Sequence, residues 1–192
     1  MKELIKKIKS SIQLSLEAEE YLLSISKKKT FSKGEILIQQ GQNVNKIYFV
    51  TDGCLRSYCI DKSGKEHTLQ FAIKNWWIGD YITLYTEEKS ILSIEAITKS
   101  KILLIDKVAI EKLYLEYPEF ETFQRKNLER RLATLQKRIL NLLALTAVEK
   151  YDKFISEYAE FAQIIPNYQI ASYLGITPES LSRVRKRKIH KS

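Results

Sequence analysis

Cysteine and histidine are scarce. The 192 residues include Cys54 and Cys59, His67 and His190, and no others of either kind. A closed zinc site gathers about four such ligands and an iron–sulfur cluster four thiolates, so neither centre has its donors here. On one continuous strand, residues five apart point to opposite faces, so the two cysteines read as ordinary strand residues rather than a disulfide. Long apolar runs are missing too: none approaches the roughly 18 residues a membrane-spanning helix needs. The N-terminal MKELIKKIKSSIQLSLEAEEYLL intersperses lysine with Leu and Ile, which is helix rather than a secretory signal. The expectation is a cytoplasmic protein without a membrane partner. The third absence is acidic: no Asp or Glu follows Glu179, while Arg183, Arg185, Lys186, Arg187, Lys188 and Lys191 crowd the same end. With a net charge of +9, that asymmetry points to a polyanion partner, against the plainer reading of a solvated, solubilising tail.

What is present divides into three textures. The hydrophobic fraction of 44% supports a packed core, and the length allows one large domain or two modest ones. After a helical 1–26, the stretch 28–106 alternates short β-rich runs (35–38, 46–50, 55–60, 67–71, 101–105) with turn signals such as Lys33-Gly34, Thr51-Asp52-Gly53 and Asp61-Lys62-Ser63-Gly64. Many short strands at that spacing predict a sandwich or barrel, with residues 60–66 as a hairpin loop. Past the break at Tyr117-Pro118 the period becomes helical. Leu128, Leu132, Leu135, Ile139 and Leu142 recur in steps of 4, 3, 4 and 3. That is a coiled-coil seam, and charge on the other faces favours an exposed rod meeting a partner helix over a helix packed on its own domain. Further helix is expected over 145–165.

The C-terminal PNYQIASYLGITPESLSRVRKRK carries the most specific pattern. Asn167 reads as an N-cap; Ile170, Ala171 and Leu174 supply a buried face with one small residue for close crossing; Gly175 fits a left-handed turn. Thr177-Pro178-Glu179 starts a second helix with a capping hydroxyl, proline in the first turn and an acid beside it, and Leu181 and Val184 anchor that helix. These are the constraints of a helix-turn-helix. The positions left outward are Glu179, Ser180, Ser182, Arg183, Lys186 and Arg187. Arginine can fork onto guanine and glutamate can accept from the cytosine amino group.

A β-rich N-terminal domain, a long dimerising helix and a C-terminal helix-turn-helix together resemble the Crp–Fnr family of bacterial transcription regulators. Lys33-Gly34-Glu35-Ile36-Leu37-Ile38-Gln39-Gln40-Gly41 is similar to the family's first roll hairpin, and Ile47-Tyr48-Phe49-Val50-Thr51-Asp52-Gly53 to its next strand and glycine turn. The resemblance implies an α+β chain: a double-stranded β-helix, jelly-roll-like sensor domain over 1–108, a dimerisation helix over 109–143 and an all-α DNA-binding domain over 144–192. It implies a homodimer, a palindromic double-stranded DNA site, RNA polymerase as protein partner, no resident cofactor and no catalysis. Glu179 and Arg183 stand where family recognition helices present base-reading residues. Tyr168, Gln169, Thr177, Ser180, Ser182, Arg185, Lys186, Arg187 and Lys188 complete the expected DNA surface.

The family's cyclic-nucleotide cassette follows a Gly-Glu pair with a loop and an Arg-Ser/Thr-Ala-like triplet, the acid holding ribose and the arginine the cyclic phosphate. Here Gly79-Asp80 matches the start, but the arginine region reads Ser90-Ile91-Leu92-Ser93. A degenerate pocket of Gly79, Asp80, Tyr81, Lys89, Ile91 and Leu92 is expected, with Lys89 the one substitute point charge. Cyclic AMP in the usual mode is therefore not expected; a different small effector is, or none. Trp76, Trp77, Tyr81, Leu84 and Tyr85 read as core packing in preference to the lining of an uncharged-ligand pocket. A family β-wing is missing after Ile189-His190-Lys191-Ser192, either natively or by truncation, leaving the basic tail for phosphates. Two other classes make different demands on the residues. A metal enzyme of the cupin kind needs several inward histidines, and His67 is the roll's only one, which also leaves haem a single candidate axial ligand. A ligand-sensing adaptor would use the C-terminal helices to bind protein instead of DNA.

Overall fold

The computed structural model describes residues 1–86 and 88–189, with Ile189 described by its backbone alone. His190, Lys191 and Ser192, the end of the expected basic tail, lie outside the described residues, as does Glu87.

Strands that are apolar at consecutive positions need cover on both faces. Two stretches have that composition, Ile47-Tyr48-Phe49-Val50 and Ile102-Leu103-Leu104-Ile105. They lie in β3 (Lys46–Asp52) and β8 (Ser100–Asp106), which pair antiparallel with Ile47 opposite Ile105 and Phe49 opposite Leu103. With β1 (Lys27–Phe31) and β6 (Trp77–Ile78) they form a four-stranded sheet of order β1-β8-β3-β6. The second sheet has β2 (Ile36–Ile38), β4 (Cys54–Ile60), β5 (Glu66–Ile73) and β7 (Ser93–Ala96) in the order β2-β7-β4-β5.

Between the sheets, Tyr48, Val50, Ile78 and Ile102 from the first meet Ile38, Leu55, Ala72 and Ile94 from the second. On the other face of the first sheet, Ile47, Phe49, Leu103 and Ile105 pack under helices. Those helices are α1 (Lys2–Lys9), α2 (Leu16–Ile25), α4 (Lys107–Glu116) and the start of α5 (Glu119–Ala144); α3 (Tyr81–Thr86) adds Leu84. The paired sheets expected from the spacing of the β runs, and the α+β roll that the resemblance implied, are what the chain adopts. Edge strand β1 presents Lys27, Lys28 and Lys29 to solvent, charges that discourage edge-to-edge pairing with another chain.

Several local expectations need correction. The helical 1–26 is two helices, because Ser15 caps α2 by accepting from the Ala18 N–H at 3.3 Å, and a capped start requires the preceding chain to leave the helix. Helix over 145–165 is confined to α6 (Ala147–Glu157), and residues 158–165 are turns. Asn167 does not cap α7 (Asn167–Leu174) but is its first residue, following Pro166. Its side chain instead accepts from Arg185. Cys54 and Cys59 are free thiols on the single strand β4, as their spacing predicted.

The chain divides into two compact units, residues 1–57 with 71–130 and residues 58–70 with 131–192. The division falls within α5, and it assigns the β4–β5 hairpin tip to the second unit.

Candidate functional site

The second unit is organised by its own aromatic core. Thr146 caps α6 in a reciprocal box with Glu149, and α6 buries Tyr151 and Phe154. Phe154, Tyr158 and Tyr173 form a ring cluster with centroids 5.0 to 5.9 Å apart. Burial raises the Tyr158 hydroxyl well above the ordinary tyrosine range and raises that of Tyr173 too, so both stay neutral. Helix α7 ends at Gly175, φ +64°, with the Ile176 N–H bonded to Ala171 O at 3.0 Å. A Cβ at Gly175 would reach Leu142 Cδ2 at 3.3 Å as well as straining the backbone. Thr177 then caps α8 (Pro178–Ile189), accepting from the Ser180 N–H at 3.2 Å. Ile170, Ala171, Leu174, Leu181 and Val184 are all buried, the five positions that the sequence set aside for the helix crossing.

That packing leaves Glu179, Ser182, Arg183, Lys186 and Arg187 exposed on α8, with Ser180 half-exposed and Thr177 and Tyr168 exposed beside them. The Glu179 carboxyl is held below its ordinary range by its own backbone N–H and the Thr177 hydroxyl, so it remains an acceptor. Three residues of the expected surface are placed otherwise. Gln169 is 3% exposed. Arg185 turns inward, donating from Nε to the Tyr151 hydroxyl (2.9 Å), from one terminal nitrogen to Asn167 Oδ1 and from the other to Ala162 O (3.1 Å). Lys188 pairs with Asp152 on α6. Counting outward helical positions identifies Arg185 and Lys188 as basic but cannot see that a hydroxyl, an amide oxygen and a carbonyl already hold the first and a carboxylate the second.

Sequence reading missed Ser172 and Arg138. The Ser172 hydroxyl accepts from the Thr68 N–H (2.8 Å) and donates to Glu66 O (2.9 Å), so it fills two backbone positions of the hairpin. Arg138 donates to Thr68 O and Tyr173 O, both at 3.2 Å, and its guanidinium lies 4.1 Å from the Tyr173 ring centre. A polar residue inside an amphipathic pattern gives no warning of such a role. His67, the candidate axial ligand, sits exposed in the same hairpin with Nε2 2.6 Å from Asp61 Oδ2.

Along α5 the only buried residues are Phe120 and Phe123. The five seam positions Leu128, Leu132, Leu135, Ile139 and Leu142 are 36–60% exposed, and Leu140 and Leu143 are more so.

In the first unit, Asp80 is fully buried at the head of α3. Its Oδ1 accepts from the Ile82 and Thr83 N–H groups at 3.0 and 3.3 Å. Its Oδ2 accepts from the Thr83 and Ser90 hydroxyls at 3.1 and 2.6 Å. Four donors complete the lone-pair demand of a carboxylate. Leu92 and Gly79 are buried, Tyr81 is half-buried, and Lys89 and Ile91 are exposed. Trp77 and Leu84 belong to the helix-covered core with Phe49, its ring 5.0 Å from Trp77, whereas Tyr85 is 64% exposed.

The cyclic nucleotide-binding domain family matches residues 28–117. The transcriptional activator protein Anr of Pseudomonas protegens is 24% identical over 185 residues, covering 90% of this chain and 75% of that protein. The regulatory protein HlyX of Actinobacillus pleuropneumoniae is 26% identical over 171 residues, 83% and 70% of the two chains. The structure of FixK2 from Bradyrhizobium japonicum superposes with a TM-score of 0.76 at 21% identity, over 87% of this chain and 86% of that one. These matches agree with the Crp–Fnr resemblance of the sequence. Its relatives are transcription regulators and not enzymes, and the roll, long helix and C-terminal helices are the Crp–Fnr fold. Asp80, the acid that follows Gly79, thus has the Ser90 hydroxyl among its donors. No helix of the described residues is long and apolar enough to cross a membrane.

Proposed function

We propose that this chain is a homodimeric, sequence-specific DNA-binding regulator, cytoplasmic, whose roll does not take up a cyclic nucleotide. The observation that carries the first half is the polarity of α8: its inward residues Leu181 and Val184 are buried while Glu179, Ser182, Arg183, Lys186 and Arg187 remain exposed. A helix held in this way by α7 can enter a major groove, with Glu179 and Arg183 at base edges and Lys186 and Arg187 at phosphates. The exposed leucine seam of α5 supports a dimer, since a row of apolar side chains on a helix loses contact with water only against a partner. Two copies would then address half-sites about 34 Å apart in a palindrome, with RNA polymerase as the protein contact downstream.

Selection of bound sequences from random duplex DNA tests this reading. A palindromic motif is expected, and Arg183→Ala should cost about 1–3 kcal/mol and relax one position per half-site. Absence of any duplex shift at moderate salt would favour the adaptor reading, in which α8 docks on protein.

The second half rests on Asp80. Its four donors leave no acceptor capacity for a ribose hydroxyl, and Ser90 brings no cation to a phosphate. Calorimetry with cyclic AMP and cyclic GMP is expected to show no binding in the micromolar range; a clear isotherm would overturn the claim. A regulator answering to another small effector, or to none, follows.

A further inference from the structure

A cavity of about 530 Å³ opens in the second unit between α5, α6 and α7. Lys137 and Arg138 of α5 and Lys150 and Lys153 of α6 line it, and Glu157 is the one carboxylate among the lining residues, so four cations face one anion. Two of the cations are committed. Arg138 holds the Thr68 and Tyr173 carbonyls, and Lys153 donates to Asn141 Oδ1 at 2.8 Å. The Lys137 and Lys150 ammonium groups make no hydrogen bond or close ion pair among the described residues, Glu157 attracting Lys137 only at longer range. The remaining walls are largely apolar or aromatic: Leu142, Phe154, Tyr173 and Leu174.

Like charges gathered on fixed helices repel one another, and apolar walls give ammonium groups nothing in return. An anion placed among them removes the repulsion and gains charge-assisted hydrogen bonds. The volume lies in the range of small-molecule pockets, and the walls suit an apolar body attached to the anionic head. DNA backbone is a poorer occupant, because no residue of α8 lines the cavity.

We infer that this cavity binds a small organic dianion with an apolar or aromatic body, a phosphate monoester or a dicarboxylate, with Lys137 and Lys150 as its two anion-holding residues. Since Tyr173 and Leu174 lie on α7, the bound molecule would tie the first helix of the helix-turn-helix to α5. The assignment goes beyond the regulator reading and does not depend on α8 reading DNA.

The test is calorimetry on the full chain without DNA. The probes are 1-naphthyl phosphate, a naphthalene dicarboxylate and, as the uncharged control, 1-naphthol. One site per chain is expected for at least one of the two anions, and which anion binds distinguishes the sources; 1-naphthol should not bind. Lys137→Gln and Lys150→Gln should each weaken binding about tenfold, the factor that about 1.4 kcal/mol of lost charge-assisted bonding produces. Lys112→Gln on α4 should leave it unchanged. On the wild-type chain, bound anion should also protect Lys137 and Lys150 from acetylation, a readout that needs no variant to fold. No isotherm with either anion would overturn the inference, as would binding unchanged in the double variant. It would also fail if the double variant lowered duplex affinity and its salt dependence while neither anion bound, which would make the cavity lysines phosphate contacts.

Discussion

Replacing Arg185 by methionine removes a guanidinium while keeping most of its apolar stem. Arg185 lies in the basic run of α8, yet it donates to the Tyr151 hydroxyl, Asn167 Oδ1 and Ala162 O. Tyr151 and Ala162 are 7% and 3% exposed, so the Tyr151 hydroxyl and Ala162 carbonyl would lose a donor that water replaces poorly. Net hydrogen bonds to a charged group are worth about 1.5–3 kcal/mol each, and an unpaired buried acceptor costs about 1–3 kcal/mol. Discounting for the partial exposure of Arg185, its loss should destabilise the second unit by about 2–4 kcal/mol. Urea unfolding followed by far-UV circular dichroism measures this. The matched control is Arg187→Met, whose exposed side chain should shift stability by less than about 0.5 kcal/mol. The DNA readout should divide the other way. Arg187→Met should flatten the salt dependence of duplex binding by about one counterion, whereas Arg185→Met, measured where it is folded, should leave the slope intact. The reasoning is refuted if Arg185→Met is as stable as the wild type and flattens the slope, because Arg185 would then be a phosphate contact.

Gly53→Ala should cost about 2–4 kcal/mol by thermal unfolding. Its φ is +89° and a Cβ there would lie 2.4 Å from Ser100 Oγ and 2.7 Å from Lys99 O; a loss under about 1 kcal/mol would refute the close approach. Asp80→Ala should destabilise the first unit by about 2–4 kcal/mol, and Asp80→Asn by less, since an amide can still accept the two N–H bonds and donate to the Ser90 and Thr83 hydroxyl oxygens; equal losses would contradict the assigned geometry. The Asp61 carboxyl is held well below its ordinary range, first by the Ser63 hydroxyl and then by His67. A depressed carboxylate contributes stability above its unfolded pKa of about 3.9 and loses it as pH falls through the lower folded value. Carbon-detected NMR titration should therefore place its midpoint below the ordinary range, and Ser63→Ala should move that midpoint up.

Much of the fold was legible because it depends on local patterns. The β runs at 46–50 and 101–105 became strands, and the helix-turn-helix apolar positions are buried. Gly175 is left-handed and Thr177 caps α8, as their residue types require. That no arginine stands between Gly79 and Ala96 was legible as a missing charge type. What escaped was pairwise and long-range. Strand β1, spelled Lys27-Lys28-Lys29-Thr30-Phe31, has no alternating apolar face to reveal it, since it forms by pairing with β8 and exposes its lysines.

The sequence by itself determined which segments are amphipathic, where the chain turns and which end is basic, since each follows from the character of a residue and its near neighbours. Tertiary structure decided which arginine faces solvent and which is enclosed, that Ser90 completes the bonding of Asp80, and that Ser172 and Arg138 grip a hairpin about 70 to 106 residues away. Those outcomes depend on which donors and acceptors meet across the fold, and a polar side chain finds its partner by distance in space rather than by spacing along the chain.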